Sequence, residues 1–217
     1  MAIYGRRVLR SIRNRGLRGT IEIILFKLKM ILGLICPRTI WGEKIGLRAE
    51  KCSLTDREVK LIYEWSSDPD ILRWTASFPN ELNLDQFRDH LHRERWHPQY
   101  DLWCFYIVSR SRELIGKINL HSIDWTKSEG ELGIFIDKRY WNKHFGREAT
   151  KLFINYVLTK TPIKRIYLST FNENLRAQKA FAACGFRVIG TARQFNPVLG
   201  NDNDGIKMEI TRQNFRQ

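Results

Sequence analysis

The stretch from residue 130 to residue 158 constrains the fold of this 217-residue chain more than any other. It reads GELGIFIDKRYWNKHFGREATKLFINYVL, which predicts a strand, a short polar loop and a helix from Phe145 to Leu158. The first turn of a helix carries backbone N–H groups without partners and a partial positive charge, so it favours an anion. Basic residues flank the loop, and its single glycine, Gly146, lets a ligand approach the backbone. Spacing alone leaves open whether the loop binds a phosphate or only connects two elements.

The charge of the chain is large and unevenly distributed. The net charge of +14 implies an anionic partner, which is a phosphorylated ligand, a nucleic acid or a lipid surface. Residues 1–45 contain ten basic and two acidic side chains, so this segment supplies +8 of the total. We therefore predict a basic, amphipathic helical extension over residues 1–44 and one main domain over residues 45–217.

The apolar part of this extension, residues 21–35, reads IEIILFKLKMILGLI. Two lysines interrupt it, and it is shorter than the ~20 apolar residues that span a bilayer. Two interpretations stay open: a helix packed on the main domain, or residues 1–40 lying on an anionic membrane surface. Aromatic residues for base stacking are nearly absent there, which disfavours nucleic acid.

The chain has four widely spaced cysteines, a pattern typical of a protein in a reducing cytosol. They form no CxxC pair and lie near no histidine cluster, which argues against a zinc site and against a disulfide scaffold. We therefore expect a cytoplasmic protein without a metal, peripheral at the inner face of a membrane if the extension binds lipid.

From residue 45 the patterns predict the order β-α-α-β-β-β-α-β-α-β-β, an α/β domain with a mixed central sheet. Thr55 has capping-box spacing at the first helix, and Asn83 caps the second. Asn172 or Asn174 caps the last helix, which ends at Gly185. The run between the first two helices is turn-rich and is predicted as a loop.

From about residue 45 to residue 212 the chain resembles the GNAT superfamily of acetyl-CoA-dependent N-acetyltransferases, especially the acetylases of ribosomal-protein N-termini. The carrying stretches are WSSDPDILRW, the stretch quoted first, and NENLRAQKAFAACGF. The family's cofactor motif, often Y-W-G-K-G-Y-G-T-E-A, is matched at Tyr140, Trp141, Lys143, Gly146, Glu148 and Ala149. Its later N-x-x-S/A…G-F element is matched at Asn174, Ala177, Gly185 and Phe186.

The resemblance implies a mostly antiparallel sheet flanked by helices, with a V-shaped splay between the strands at 130–137 and 164–171. Acetyl-CoA would lie in this wedge, its pantetheine on backbone groups of β-strand residues and its pyrophosphate on the amides of residues 142–147. The implied cofactor-binding residues are Phe135, Ile136, Asp137, Asn142, Lys143, His144, Phe145, Gly146, Arg147 and Asn174.

Three loop positions depart from the family pattern. Asn142 and His144 stand where relatives commonly have glycine, and Trp141 stands where many carry Arg or Gln. A left-handed backbone costs a non-glycine residue roughly 1 kcal/mol, and Asn and His tolerate it better than most. We therefore expect a loop of the usual shape, built from less usual residues.

Acetyl transfer requires a base for the amine, and the resemblance points to Glu131, an acid inside an apolar strand. The alternatives are that Glu131 binds a basic substrate or is the structural partner of Lys117. His121, at the end of a neighbouring strand, is a candidate second proton carrier or an ordinary strand-end histidine.

The proton for the departing thiolate has no obvious donor. The tyrosine that serves many relatives is replaced here by Phe181. Water, a hydroxyl such as that of Tyr156 or Tyr167, or release without an acid remain as alternatives.

For acceptor binding, the loop between the first two helices offers Trp65, Asp68 and Trp74, and aromatics with carboxylates suit a sugar or a cationic amine. We predict an N-acetyltransferase that acts by direct attack in a ternary complex, with an amino sugar or amino-sugar nucleotide as the favoured acceptor. A protein N-terminal amine is the alternative acceptor. A non-catalytic CoA-binding or peripheral membrane module is the alternative function.

Overall fold

The computed structural model of the protein describes residues 17–26, 28, 39–49, 53–94 and 103–215. Much of the predicted extension, residues 1–16 and 29–38, lies outside the described residues. The helices are α1 (17–26), α2 (Asp56–Trp65), α3 (Pro69–Thr75), α4 (Leu84–Glu94), α5 (Phe145–Lys160) and α6 (Leu175–Ala182). The strands are β1 (Thr39–Trp41), β2 (Ile45–Ala49), β3 (Trp103–Ser109), β4 (Leu114–Asp124), β5 (Glu129–Ile136), β6 (Arg165–Phe171), β7 (Arg187–Asn196) and β8 (Asn201–Thr211).

Within the described residues these strands form one sheet in the order β1-β2-β3-β4-β5-β6-β8-β7. Neighbours are antiparallel except β5 and β6, which run parallel. Helix α5 packs on one face, where Phe153, Ile154 and Val157 are fully buried. Helices α2, α3 and α4 cover part of the other face, around Tyr106. The predicted α/β class with a mostly antiparallel sheet is confirmed.

The predicted splay lies between β5 and β6. Their pairing covers three positions and ends where Glu131 lies opposite Tyr167. Beyond it β5 continues to Ile136, still paired with β4, and β6 continues to Phe171, still paired with β8. The two strands therefore have backbone edges that face each other without pairing, as a wedge for a ligand requires.

The predicted side-chain caps begin three of the helices, and the predicted glycine follows the last one. Thr55 and Glu58 form a capping box at α2. Oδ1 of Asn83 accepts from the backbone N–H of Gln86, three residues into α4. Asn174 caps α6, and Gly185 follows that helix with a positive φ of 94°.

The loop predicted between the first two helices is wrong in part, because it contains α3. Asp68 accepts hydrogen bonds from the N–H groups of Asp70 and Ile71, and Pro69 occupies the first helical position, where its missing N–H costs nothing. Burial of Ile71 and Leu72 then stabilises this short helix. Its proline and aspartates are also turn residues, which is why the sequence pattern suggested a loop.

Strand β1 lies ahead of the predicted boundary at residues 44 and 45 and pairs with β2. The turn between them is tied to α5 by Glu148, whose Oε1 accepts from the backbone N–H groups of Lys44 (2.8 Å) and Ile45 (3.3 Å). Glu148 of the cofactor motif therefore has a structural contact, and residues of the predicted extension belong to the sheet.

Candidate active site

The loop from β5 into α5 has the shape that the sequence predicted. Asn142 and His144 both adopt the left-handed backbone, with φ of 62° and 64°. His144 begins α5 without a side-chain cap, so the N–H groups of its first turn are not satisfied by a capping side chain. Lys143 and Arg147 add positive charge beside these N–H groups. The arrangement suits a phosphate or pyrophosphate group.

Gly146, in the first turn of α5, lies close to the Ile136 side chain at the end of β5. A Cβ atom added there would contact only Ile136, at an ordinary distance of 3.4 Å. The chain's own packing therefore does not require glycine at this position. A ligand that approaches the backbone closely would.

Trp141 and Arg176 link the two sides of the wedge, and the sequence patterns had not singled out this contact. Nε1 of Trp141 donates to the carbonyl oxygen of Ile136 at the end of β5 (2.7 Å). The guanidinium of Arg176, in α6, lies 3.7 Å from the centroid of the Trp141 ring. A cation at that distance from an indole face is attracted by it. The pair therefore holds the first turn of α6 against the loop that leads from β5 into α5.

Asn174 lies where a ligand in the wedge would meet α6. Its Oδ1 accepts from the N–H of Ala177, which leaves the amide Nδ2 without a partner in the described part of the chain. An amide N–H in that position suits a carbonyl of a bound pantetheine arm.

Asp137 supports the site from beneath rather than facing a ligand. Its N–H donates to the carbonyl of Ile115, and its own carbonyl accepts from Tyr140, so both backbone groups are engaged within the chain. Its buried carboxylate accepts from Nε1 of Trp65 (2.7 Å) and from the backbone and guanidinium of Arg139. Burial alone would raise the pKa of Asp137, but these hydrogen bonds outweigh it and hold the pKa below its usual value.

The prediction that Trp65 binds the acceptor is wrong. Trp65 is only 4% exposed, donates to Asp137, and packs edge-on against Phe135 at 5.2 Å between ring centroids. Trp65 is the last residue of α2 and lies on the buried side of that helix. Its place in an aromatic-rich stretch of sequence does not show whether the side chain is buried or exposed. Trp65 is a core residue that positions Asp137.

Replacing Asp137 with Asn should lower the free energy of unfolding near neutral pH by about 1.5–3 kcal/mol, because charge-assisted hydrogen bonds are lost inside the fold. The pKa of Asp137 is lowered in the folded state, so its contribution is complete above the ordinary value of 3.8 and declines as pH falls through the folded pKa. The difference between the wild type and the variant should therefore shrink in acid. Urea unfolding of both proteins near neutral pH and in acid below pH 3.8 measures this difference. Asp89→Asn, at an exposed position of α4, is the control. An unchanged difference in acid would contradict the assignment.

The best candidate for catalysis is a row of three polar side chains, His121, Glu131 and Tyr167. The row crosses the sheet where the pairing of β5 with β6 ends. Glu131 lies directly opposite His121 of β4 on one side and Tyr167 of β6 on the other. Paired residues of adjacent strands point to the same face at about 5 Å. Strand alternation places this row on the face of Phe135, which is covered further along by Trp65 of α2.

Glu131 differs from the carboxylates beside it. Glu129 and Glu209 both form ion pairs with Arg165, at 2.5 and 2.6 Å, and Arg187 adds a further ion pair to Glu209. The carboxylate of Glu131 forms neither an ion pair nor a hydrogen bond within the described residues. The alternative partner Lys117 lies opposite Phe135, four residues along the strand. Glu131 is therefore placed to accept from a ligand.

His121 leans from β4 over β5 toward the wedge. A Cβ atom at Gly133 would make an ordinary contact with its Nε2 at 3.4 Å but would lie only 2.5 Å from Oδ1 of Asn119, so glycine leaves room for the Asn119 side chain. The Nδ1 of His121 lies 3.1 Å from the hydroxyl of Ser122. Asn119 was not predicted as a site residue, although its alternation with apolar Ile118 in β4 indicates the same face as His121.

The structure separates the two tyrosines that the sequence left as alternatives. Burial and then the nearby Glu131 carboxylate raise the pKa of Tyr167, so its hydroxyl keeps a proton to give. Tyr156 lies in α5 on the opposite face of the sheet and packs edge-on against Phe105. Phe181, at the family's tyrosine position, is buried against Phe186. Tyr167 is thus the hydroxyl adjacent to Glu131.

A polar cavity of about 370 Å³ lies beyond the end of β6. It is bounded by α3, the end of β6 and the β7–β8 hairpin, and Nδ2 of Asn196 in the hairpin donates to the carbonyl of Arg73 (3.0 Å). Trp74 lines the cavity, as the prediction for acceptor binding requires. Asp68 does not line it, because its carboxylate caps α3 and pairs with Lys138 at 2.9 Å. The acidic residues that do line it are Glu173, Asp202 and Asp204.

Among the described residues, His, Cys, Asp and Glu side chains form no group of three or more that could hold a metal ion.

Comparisons with known proteins agree with this geometry. Residues 52–187 match the family model described as the acetyltransferase (GNAT) domain. Spermidine N(1)-acetyltransferase of Escherichia coli is 21% identical over 165 residues, which cover 75% of this chain and 85% of that protein. The corresponding enzyme of Vibrio cholerae is 22% identical over 174 residues, which cover 80% and 96%.

A similar solved structure is the crystal structure of spermidine N-acetyltransferase from Vibrio cholerae in complex with CoA and spermine. Its TM-score is 0.68 at 23% identity, and the match covers 78% of this chain and 96% of that one. The relatives are polyamine acetyltransferases, whereas the sequence patterns had suggested the acetylases of ribosomal-protein N-termini. The resemblance to the superfamily, and with it acetyl-CoA as co-substrate, is confirmed. The chain belongs to the GNAT family and is an acetyl-CoA-dependent N-acetyltransferase.

Proposed function

We propose that this enzyme acetylates a primary amine of a linear polyamine. The observation that carries the proposal is the Glu131 carboxylate, which lies at the splay of β5 and β6 without a cationic partner in the described structure. An ammonium group of the acceptor would be that partner. The relatives that act on spermidine support the same class of acceptor.

The reaction follows from the row of side chains around Glu131. Bound acetyl-CoA supplies an activated acetyl thioester. A primary amine has a pKa near that of lysine, ~10.4, so at neutral pH it must lose a proton before it attacks. Glu131 accepts this proton, the new N–C bond forms as the C–S bond breaks, and the hydroxyl of Tyr167 donates a proton to the departing sulfur. His121 lies next to Glu131 and can carry the proton to solvent.

Direct transfer to the amine is favoured over a cysteine-linked intermediate. Cys184, beside the phosphate-binding helix, contacts the carbonyl of Arg147 with its Sγ at 3.5 Å. Burial raises the pKa of its thiol to about 11, so the reactive thiolate is scarce.

The cavity beyond β6 offers a place for a second ammonium group of the acceptor. Tyr167 and Phe171 are four residues apart on β6, which corresponds to about 13 Å of strand between the catalytic row and the cavity. An extended polyamine spans such a distance, whereas a monoamine does not. Arg73 already lies over the Trp74 ring, 5.0 Å from its centroid, and pairs with Glu173, while Arg193 pairs with Asp202. Asp204 forms no ion pair among the described residues, so its carboxylate is the group that would bind the second ammonium.

The cavity makes the proposal testable with substrates of different length. We expect Asp204→Asn to raise the KM for spermidine about three- to fivefold, the effect of one exposed ion pair, and to leave the KM for butylamine unchanged. Asp89→Asn on α4 is the matched control. Steady-state thiol release measures both. An equal change in the KM for spermidine and for butylamine would show that the cavity does not bind the acceptor.

An amino sugar remains the second candidate acceptor, because Trp74 beside carboxylates also suits a sugar ring. A protein N-terminal amine is the third. Neither has a second ammonium group at a fixed distance, so neither predicts a dependence of KM on the number of amines.

Acetyl-CoA binding can be tested separately from the acceptor. We expect Gly146→Ala to raise the Kd for CoA about tenfold, because an added methyl group in the first turn of α5 would hinder the close approach of the pyrophosphate to the backbone N–H groups. Folding stability should stay equal or rise, since alanine is the better helix former. Gly190→Ala is the control, because a Cβ there meets nothing within 4 Å. Calorimetric titration with CoA measures the change, and equal affinities would place the pyrophosphate elsewhere.

A further inference from the structure

Helix α1 is apolar on two sides, and the inner side packs on the main domain. Ile23 and Phe26 are 6% and 8% exposed, and the ring of Phe26 lies 6.1 Å from that of Trp125. Trp125 belongs to the turn between β4 and β5. Phe26 is three positions after Ile23, so both lie on one face of the helix.

The outer side of this helix carries an exposed apolar stripe. The members of the stripe, with their exposed fractions, are Leu17 (64%), Ile21 (45%), Ile24 (45%), Leu25 (51%) and Leu28 (50%). Their spacing of four, three, one and three residues places them within one sector of a 3.6-residue helix, opposite Ile23 and Phe26. Single exposed apolar residues are ordinary on a protein surface, but a continuous stripe indicates an interaction site.

The charge of the neighbouring sequence indicates what covers the stripe. The first 21 residues contain no Asp or Glu. They contain six arginines, at positions 6, 7, 10, 13, 15 and 18. Basic side chains next to an interfacial helix attract anionic lipid headgroups. A nucleic acid would need aromatic residues for stacking, and Tyr4 is the sole aromatic residue before Phe26.

We propose that the stripe on α1 docks the enzyme on an anionic lipid bilayer. The apolar residues lie in the boundary between headgroups and acyl chains, and Arg18, which is exposed on the same helix, contacts the headgroups. The two interpretations of the extension, packing on the main domain and binding to a membrane surface, are then both correct. The same helix packs on the domain with one side and on lipid with the other. None of the helices in the described residues has the length and apolar character that crossing a bilayer needs.

This placement is compatible with acetyl transfer. Trp125, which α1 contacts, precedes β5, whereas the phosphate-binding loop follows the other end of that strand. The eight residues of β5 separate the two by about 23 Å. A bilayer against α1 therefore lies about this distance along β5 from the phosphate-binding loop.

Vesicle cosedimentation of the full chain tests the proposal. We expect binding to vesicles of phosphatidylcholine with phosphatidylserine, and at least about tenfold weaker binding to phosphatidylcholine alone. Ile21→Gln with Leu25→Gln should weaken binding about tenfold or more, because two apolar side chains no longer enter the bilayer. Arg18→Gln should weaken it about fivefold, and less at high salt.

The controls separate lipid docking from damage to the fold. Val188→Gln with Val198→Gln removes two exposed apolar residues from the β7–β8 hairpin and should leave vesicle binding unchanged. The α1 variant should keep the Tm and the thiol-release rate of the wild type, because Ile23 and Phe26 are intact. Three results would overturn the proposal: no binding to anionic vesicles, equal binding by the α1 variant, or a dimer in solution that Ile21→Gln dissociates.

Discussion

Replacing Glu131 with Gln should lower kcat about 100-fold or more and leave the Kd for CoA unchanged. General-base catalysis contributes about 10²–10⁴ to a rate, and glutamine keeps the size of the side chain but cannot take the proton from the amine. The cofactor wedge begins beyond Glu131, where β5 and β6 part, so its backbone groups are not altered. Thiol release at saturating acetyl-CoA and calorimetric titration with CoA measure the two quantities.

The pH profile distinguishes a base from a carboxylate that only binds the acceptor. If Glu131 is the base, activity of the Gln variant should recover as pH rises and free amine becomes more abundant. Glu64→Gln, on the exposed side of α2, is the matched control and should match the wild type. A Gln variant with normal kcat and a raised KM for the amine would assign Glu131 to binding alone.

Replacing Tyr167 with Phe should lower kcat about 100-fold, because the departing thiolate loses its proton donor. Phe181 occupies the position from which many relatives supply this proton and has no proton to give. Tyr167 lies opposite Glu131, and its raised pKa keeps the hydroxyl protonated over the assay range. Removal of one oxygen should leave the binding of both substrates nearly unchanged.

Tyr156→Phe is the matched control for this experiment. Tyr156 packs against Phe105 beneath α5, on the face of the sheet away from Glu131, so its variant should keep the wild-type kcat. Wild-type activity in Tyr167→Phe would show that water protonates the thiolate or that release needs no acid. Equal losses in both variants would point to a general effect on the fold.

Features encoded by neighbours in sequence were predictable. The capping box at Thr55, the positive φ of Gly185 and the left-handed Asn142 and His144 each depend on the residue itself and the few beside it. The splay and the cofactor loop were implied by the resemblance to the GNAT superfamily, which these motifs carry. These local signals supply the cofactor half of the site.

The acceptor half depends on which strands are neighbours and in what register, and no local pattern encodes that. Tyr167 and Glu131 are 36 residues apart, and only the three-residue pairing of β5 with β6 brings them together. Trp65 and Trp74 looked equivalent in sequence, yet one is bonded to Asp137 in the core and the other lines the cavity. The cavity itself needs the β7–β8 hairpin, more than a hundred residues away from α3.

Thiol release from acetyl-CoA by the wild-type enzyme is the most direct test of the central claim. That claim is acetyl transfer to a polyamine at the row formed by His121, Glu131 and Tyr167. The amines to compare are spermidine, spermine, an amino-sugar nucleotide and an N-terminal peptide, with the products identified by mass spectrometry. We predict a single acetyl group on a primary amine of the polyamine, with kcat/KM at least about tenfold above the other amines. A higher kcat/KM for the amino-sugar nucleotide or the peptide would contradict the polyamine, and CoA binding without thiol release from any amine would contradict catalysis.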